Sequence, residues 1–208
     1  MNTGEADGEL LALIHRLLKA FAAPTLAPYL ADWPTSQDAH RSAPSADVPS
    51  ALPVLRWLPQ IGASTHHVGC ELVSALCRAA PWLAWHQTYT ANDLGTTFMQ
   101  NYGWTEILGP RGGATHGKIA CGLLLLGPHT LYPPHRHEAE EIYVPLSGTA
   151  EWQQGDAIWR PCAPGTLIHH CSEEPHAMRT GTEPLLALYL WRSANLVQRA
   201  RLDRRSFA

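Results

Sequence analysis

The stretch "YPPHRHEAEEIYVPLSG", residues 132–148, decides how this chain is read. It sets two histidines and three acidic residues between a Pro-Pro step and a Ser-Gly turn, in a protein whose charged content is only 16%. His135 and His137 are two apart, so in an extended segment both side chains leave the same face and can share one ion. Glu141 and Tyr143 share a parity of their own, and the residues between allow a turn that lays the second strand beside the first. A carboxylate and two imidazoles suit one borderline divalent metal such as zinc, iron(II), manganese or nickel. A further ligand is expected downstream, in "APGTLIHHCSEEPHAMRT". His169, His170 and His176 are the candidates, and His176, which follows a strand and a turn, is preferred.

Around this stretch, from about residue 101 onward, short apolar or alternating runs are separated by Gly and Pro turns: "TEILGP", "KIACGLLLLG", "TAEWQQGD", "TLIHH" and "PLLALYLW". Many short strands so spaced predict a β-sandwich or barrel. In the last run Leu185, Ala187, Tyr189 and Trp191 share one face and Leu186, Leu188 and Leu190 the other, so both faces are covered. One face is expected to pack and the other to line a pocket.

Upstream the period is that of a helix. Leu10, Leu13, Ile14, Leu17 and Leu18 in "ELLALIHRLLKAF" predict an amphipathic helix over 9–21 that stops at Pro24. Residues 69–84 repeat the pattern through Leu72, Leu76 and Ala80, with Cys70 and Cys77 two turns apart on one side. A Pro-rich loop at 34–59 lies between them, either closing over the barrel or bracing the helices. The expected organisation is a mainly helical region over 1–100, a barrel over 101–192 and a tail over 193–208. That tail, rich in arginine, is expected to be a solvated helix or a frayed end.

Composition narrows the partners. A formal net charge of −3 with 45% hydrophobic residues gives no electrostatic reason to expect nucleic acid or an acidic membrane surface. The long apolar run at 119–128 is too short to span a bilayer, and the N-terminus shows no signal-type core. A small-molecule partner, a cytoplasmic location and a monomer or homodimer are expected. Five cysteines without a CxxC pair fit reduced, buried thiols.

The segment "HRHEAEEIYVPLSG" resembles the first cupin motif, with His135, His137, Glu141 and Gly148 in register. Gly165, Pro175 and His176 fit the second, although Thr180 stands where asparagine is usual. The resemblance implies a mainly β fold: a single cupin β-barrel, or jelly roll, with a helical N-terminal region. Within the cupins, "YPPHRHEAEEIYVPLSGTAEW", "PHAMRT" and "LLALYLW", preceded by "NYGWTEILGP", resemble the dimethylsulfoniopropionate lyases of the DddQ type. That likeness covers most of 98–192. It implies one divalent metal held by His135, His137, Glu141 and His176, Tyr143 as the base, and Tyr132 and Trp191 lining the substrate pocket.

The implied reaction is a β-elimination giving dimethyl sulfide and acrylate. The proton that leaves is only weakly acidic, so a metal on the substrate carboxylate would stabilise the developing charge. A nearby divalent cation would also favour the phenolate of a tyrosine whose ordinary pKa is ~10. Aromatic faces can hold the sulfonium end, and Tyr132, Tyr189 and Trp191 are available for it. Two other functions use the same residues: a related cupin enzyme acting on another small carboxylate or sugar, and a non-catalytic metal- or ligand-binding cupin.

Overall fold

A computed structural model describes residues 3–34, 40–41, 51–64 and 68–203. Helical periodicity near the start is realised as α1 (Thr3–Phe21), six residues longer at its N-terminal end than the apolar spacing alone defines. Leu10, Ile14 and Leu18, one turn apart, are fully buried along it. Pro24 ends that helix by opening a 3₁₀ turn, which runs into α2 (Ala27–Ala31). α4 (Cys70–Ala79) stops short of the expected residue 84, because Pro81 starts a 3₁₀ turn over Ala80–Trp82.

The loop expected over 34–59 is helical at its end: Pro53–Trp57 is a 3₁₀ turn leading into α3 (Leu58–Ala63). This part braces the helices. Arg56 donates to Gln100 O, and both Arg56 and Trp57 donate to Asn101 Oδ1, beside α5 (Ala91–Gln100). Residues 35–39 and 42–50 of the loop, on either side of the short strand β1 (His40–Arg41), lie outside the described residues.

A short strand, β2 (Trp85–His86), precedes α5, and from residue 102 the regular elements are strands: β3 (Tyr102–Leu108), β4 (Ala114–Thr115), β5 (Ile119–Leu126), β6 (Leu131–Arg136) and β7 (Glu140–Ser147). There follow β8 (Ala150–Gln154), β9 (Arg160–Cys162), β10 (Ile168–His170), β11 (His176–Thr180), β12 (Leu185–Arg192) and β13 (Arg201–Leu202). Among the described residues they form two sheets. The larger runs β1-β4-β3-β5-β12-β7-β10 with β2 also on β3, and the smaller runs β13-β6-β11-β8-β9. The β3–β4 pair is parallel. The sheets face each other as a single cupin barrel, and the outer face of the larger one carries the helices.

Two clusters follow. Leucines, isoleucines and valines of α1, α3 and α4 pack with Leu186, Leu188 and Leu190 outside the barrel. Tyr102, Tyr132, Tyr143, Trp152, Met178 and Tyr189 from both sheets pack inside it. Thr180 replaces the usual asparagine without loss of the turn: its hydroxyl accepts from the Thr130 N–H at 2.9 Å and donates to Gly127 O at 2.7 Å.

Two expectations are corrected. The tail is neither a helix nor frayed through residue 203: β13 pairs with β6, Leu196 is buried, and Asp203 is bonded to Arg136 at 3.2 Å. A two-residue strand is too short to show a period, so only its partner reveals it. All five cysteines are free, but only Cys121 and Cys162 are buried; Cys70 and Cys171 are exposed and Cys77 is half-buried.

Candidate metal centre

Strand pairing builds the site. His176 opens β11 directly opposite His135 on β6, and Glu141 on β7 lies between Trp191 of β12 and His170 of β10. Tyr143 and Tyr189, one inward step along, pair with each other. Tyr132 is three residues from His135, which by alternation alone would send it to the opposite face. The register slips between these positions, a bulge at Pro133 and Pro134, so both rings turn inward and stack with centroids 3.9 Å apart.

His137, Glu141 and His176 place one ligand atom each within 4.8 Å of one another, and all three are buried. Glu141 Oε2 is 2.9 Å from His137 Nε2 and 3.2 Å from His176 Nε2, while Oε1 accepts the Trp191 indole N–H at 2.7 Å. His135 stands beside this group, its ring centroid 4.2 Å from that of His176.

The backbone assigns the histidine protons. Nδ1 lies 2.9 Å from a carbonyl in each: Pro133 for His135, Ala139 for His137, Glu174 for His176. A carbonyl only accepts, so Nδ1 carries the hydrogen and Nε2 of the neutral ring is left with its lone pair. The Nε2 of His176 is buried without a hydrogen-bond partner among the described residues. Two lone pairs and a carboxylate oxygen thus converge where water is excluded, an arrangement that repels itself until a cation joins it. The donor set fits a divalent metal, with each ring oriented by its own backbone hydrogen bond.

The charges agree. Burial alone would raise the Glu141 pKa, but His137 and His176 beside it hold it well below the usual carboxylate range. Burial pulls His137 down, and Glu141 outweighs it to leave a net rise. His135 is held well below the ordinary histidine value by burial and by His176. Burial first, and Glu141 second, push the Tyr143 phenol well above its ordinary value.

A cavity of about 180 Å³ opens beside the triad. That is below the ~300–1,000 Å³ of pockets for drug-sized ligands, and fits a small metabolite. Tyr132, Tyr143, Tyr189 and Trp191 line it together with His135, His137 and Glu141. The sequence reading missed other members. Trp104 and Glu106 of β3, three strands across the sheet from β7, line it, as do Gln198–Ala200 of the tail. His170 is fully buried and stacks on His176 at 4.0 Å and 13°, its pKa pushed to about 3 by burial and by His176. It does not replace His176, and His169 turns outward to Glu140 at 2.7 Å.

Fold and site define a cupin barrel with a buried His-Glu metal-binding group above a small aromatic cavity. The family model for dimethylsulfoniopropionate lyase matches residues 35–187, and the chain belongs to that family. Dimethylsulfoniopropionate lyase DddQ of Ruegeria pomeroyi is 36% identical over 108 residues, 52% of this chain and 54% of that protein. A putative dimethylsulfoniopropionate lyase, DddL of Cereibacter sphaeroides, is 35% identical over 119 residues, 56% of this chain and 49% of that one. The chain thus spans about half the length of the curated relatives it matches. The crystal structure of DddQ from Ruegeria pomeroyi superposes with a TM-score of 0.83 at 26% identity, covering 98% of this chain and 99% of that one. A structure from work on the lyases RdDddP and RnDddQII gives 0.82 at 30% identity, covering 98% and 100%.

Proposed function

We propose that this protein is a metal-dependent carbon–sulfur lyase that cleaves dimethylsulfoniopropionate to dimethyl sulfide and acrylate. The observation that carries the reading is the convergence of buried, lone-pair-bearing imidazoles and a carboxylate beside a buried tyrosine in a cavity of about 180 Å³. The lyases to which the chain is similar supply the substrate.

His135, His137, Glu141 and His176 would hold one divalent ion, and imidazole with carboxylate suits zinc, iron(II), manganese or nickel. When bound, the ion supplies positive charge that polarises the substrate carboxylate and offsets the effect of Glu141 on the neighbouring phenol. Tyr143, as the phenolate that this charge would favour, takes the proton from the carbon next to the carboxylate and becomes the neutral phenol. The electron pair of that C–H bond forms the C=C bond of acrylate, the C–S bond breaks, and the sulfide leaves neutral with the former bonding pair. Tyr132, Tyr189 and Trp191 enclose the substrate and exclude water. The proton then leaves the Tyr143 phenol for solvent through the cavity that it lines, which restores the base.

Headspace detection of dimethyl sulfide from metal-loaded protein tests this. Release is expected, and Tyr143→Phe should keep metal and fold while losing turnover by about 100-fold or more. Near-normal turnover in that variant would remove Tyr143 as the base, and no release from metal-loaded wild type would remove the substrate.

A further inference from the structure

The far end of the cavity holds a carboxylate that the proposed elimination does not use. Glu106 on β3 pairs with Gly122 on β5, Gly122 with Tyr189 on β12, and Tyr189 with Tyr143 on β7. These four positions form one row across the larger sheet. With strands ~4.8 Å apart, its ends are roughly 14 Å apart along the sheet. Glu106 and Tyr143 both line the cavity, with Tyr189 between them. Gly122 keeps the middle of the row low: a Cβ there would come within 2.7 Å of the Tyr189 hydroxyl and 2.8 Å of Glu106 Cα.

Glu106 is only 5% exposed, and burial raises its pKa. The Arg111 and Gly112 backbone N–H groups donate to it, so the 109–112 turn folds around the carboxylate. The Arg111 guanidinium forms a long ion pair with Glu106, at 3.7 Å from Oε2. It is largely committed elsewhere, donating to Leu196 O at 3.2 Å and Val197 O at 2.7 Å and lying 5.9 Å from the Trp104 ring centroid. Its side chain is 30% exposed against 3% for Glu106, which puts the positive charge toward the rim and the negative charge inside.

An alkylated onium centre has no N–H to donate. It is recognised by negative charge and aromatic surface without hydrogen bonds, and it must find a counter-charge once desolvated. A carboxylate whose hydrogen bonds are already supplied by backbone amides suits that task. We propose that Glu106 is the counter-charge for the onium end of the substrate, with Tyr189 as the adjoining aromatic surface, so that the cavity selects small zwitterions carrying a carboxylate at one end and a permanent cation at the other. This rests on the lyase reading for the orientation, with the carboxylate at the Glu141 end.

Two unreactive probes of matched shape test it by calorimetric binding to metal-loaded protein. Dimethylsulfonioacetate carries the sulfonium but lacks the carbon needed for elimination, and 3-methylbutanoate is its uncharged-tail counterpart. Wild type is expected to bind the sulfonium probe about tenfold more tightly. Glu106→Gln should weaken that probe by about the same factor while leaving 3-methylbutanoate within about twofold. Equal weakening of both probes would reduce Glu106 to a brace for the 109–112 turn and overturn the proposal, as would equal affinity in wild type. Arg111→Ala, which removes the competing cation, should widen the preference. A preference unchanged or narrowed there counts against Glu106 even if Glu106→Gln does not fold. Probe preference without dimethyl sulfide release would overturn the lyase reading alone, and release without preference would overturn this subsite alone.

Discussion

On one face of β12, Leu186, Leu188 and Leu190 pack with residues of α1, α3 and α4 in an almost wholly aliphatic cluster. On the other, Leu185, Ala187 and Tyr189 join the tyrosines and tryptophans inside the barrel, and Trp191 reaches Glu141. The two faces are buried almost equally: all three leucines of the first are fully buried, and Tyr189 on the second is 7% exposed. Burial therefore does not separate scaffold from site. The outer face needs only volume, which any well-packed set of aliphatic side chains provides. The inner face carries lone pairs, hydroxyls and carboxylates whose positions are set one hydrogen bond at a time, and moving any of them changes chemistry before it changes stability.

The largest test of that contrast is on the inner face. Glu141→Ala removes the carboxylate shared by His137 and His176, and bound metal by elemental analysis should fall to near zero. Turnover should fall with it by about 1,000-fold or more. His176→Ala should behave alike. Full metal occupancy in either variant would break the ligand set.

The matching change on the outer face is Leu188→Ala. Leu188 is fully buried, and the cavity left should cost about 2–5 kcal/mol in urea unfolding. Turnover per folded, metal-loaded molecule should stay within about twofold, since no atom facing the cavity has moved. A large loss of turnover in the folded variant would mean that the two faces are coupled and that the helical layer does more than support the sheet.

The two faces also differed in how much could be read from the chain. His135 and His137 were legible because a spacing of two in a strand leaves no choice of face, and Glu141 because it follows at the distance a hairpin needs. The alternation of "LLALYLW" likewise divided β12 into its two faces before any pairing was known. Information was lost wherever the answer depended on a partner distant in sequence. Of the adjacent His169 and His170, only the pairing of His170 with Glu141 shows which one enters the barrel. Glu106 is one acid in an otherwise apolar and polar-neutral strand, and its place in the site comes from Gly122 and Tyr189, far along the chain. Tyr132 faces inward because of a bulge that alternation cannot anticipate. The tail reads as loose charge until β13 is seen against β6.

The smallest expected effect is the most discriminating. Trp191 was read as a wall of the substrate pocket, and its ring does line the cavity. Its indole N–H also donates to Glu141 Oε1 at 2.7 Å, and its ring lies against that of His137 with centroids 4.3 Å apart. It therefore fixes the orientation of a carboxylate whose other oxygen faces the two imidazoles. Trp191→Phe keeps most of the ring packing and deletes the donor. Metal affinity should fall about 10–100-fold, the usual cost of losing a group that orients a ligand, and excess metal should restore most of the turnover. If metal affinity is instead unchanged and KM alone rises, Trp191 acts on the substrate and the hydrogen bond to Glu141 is incidental. In that case the inner face, like the outer one, tolerates the loss of a single contact, and the contrast between them rests on the ligands alone.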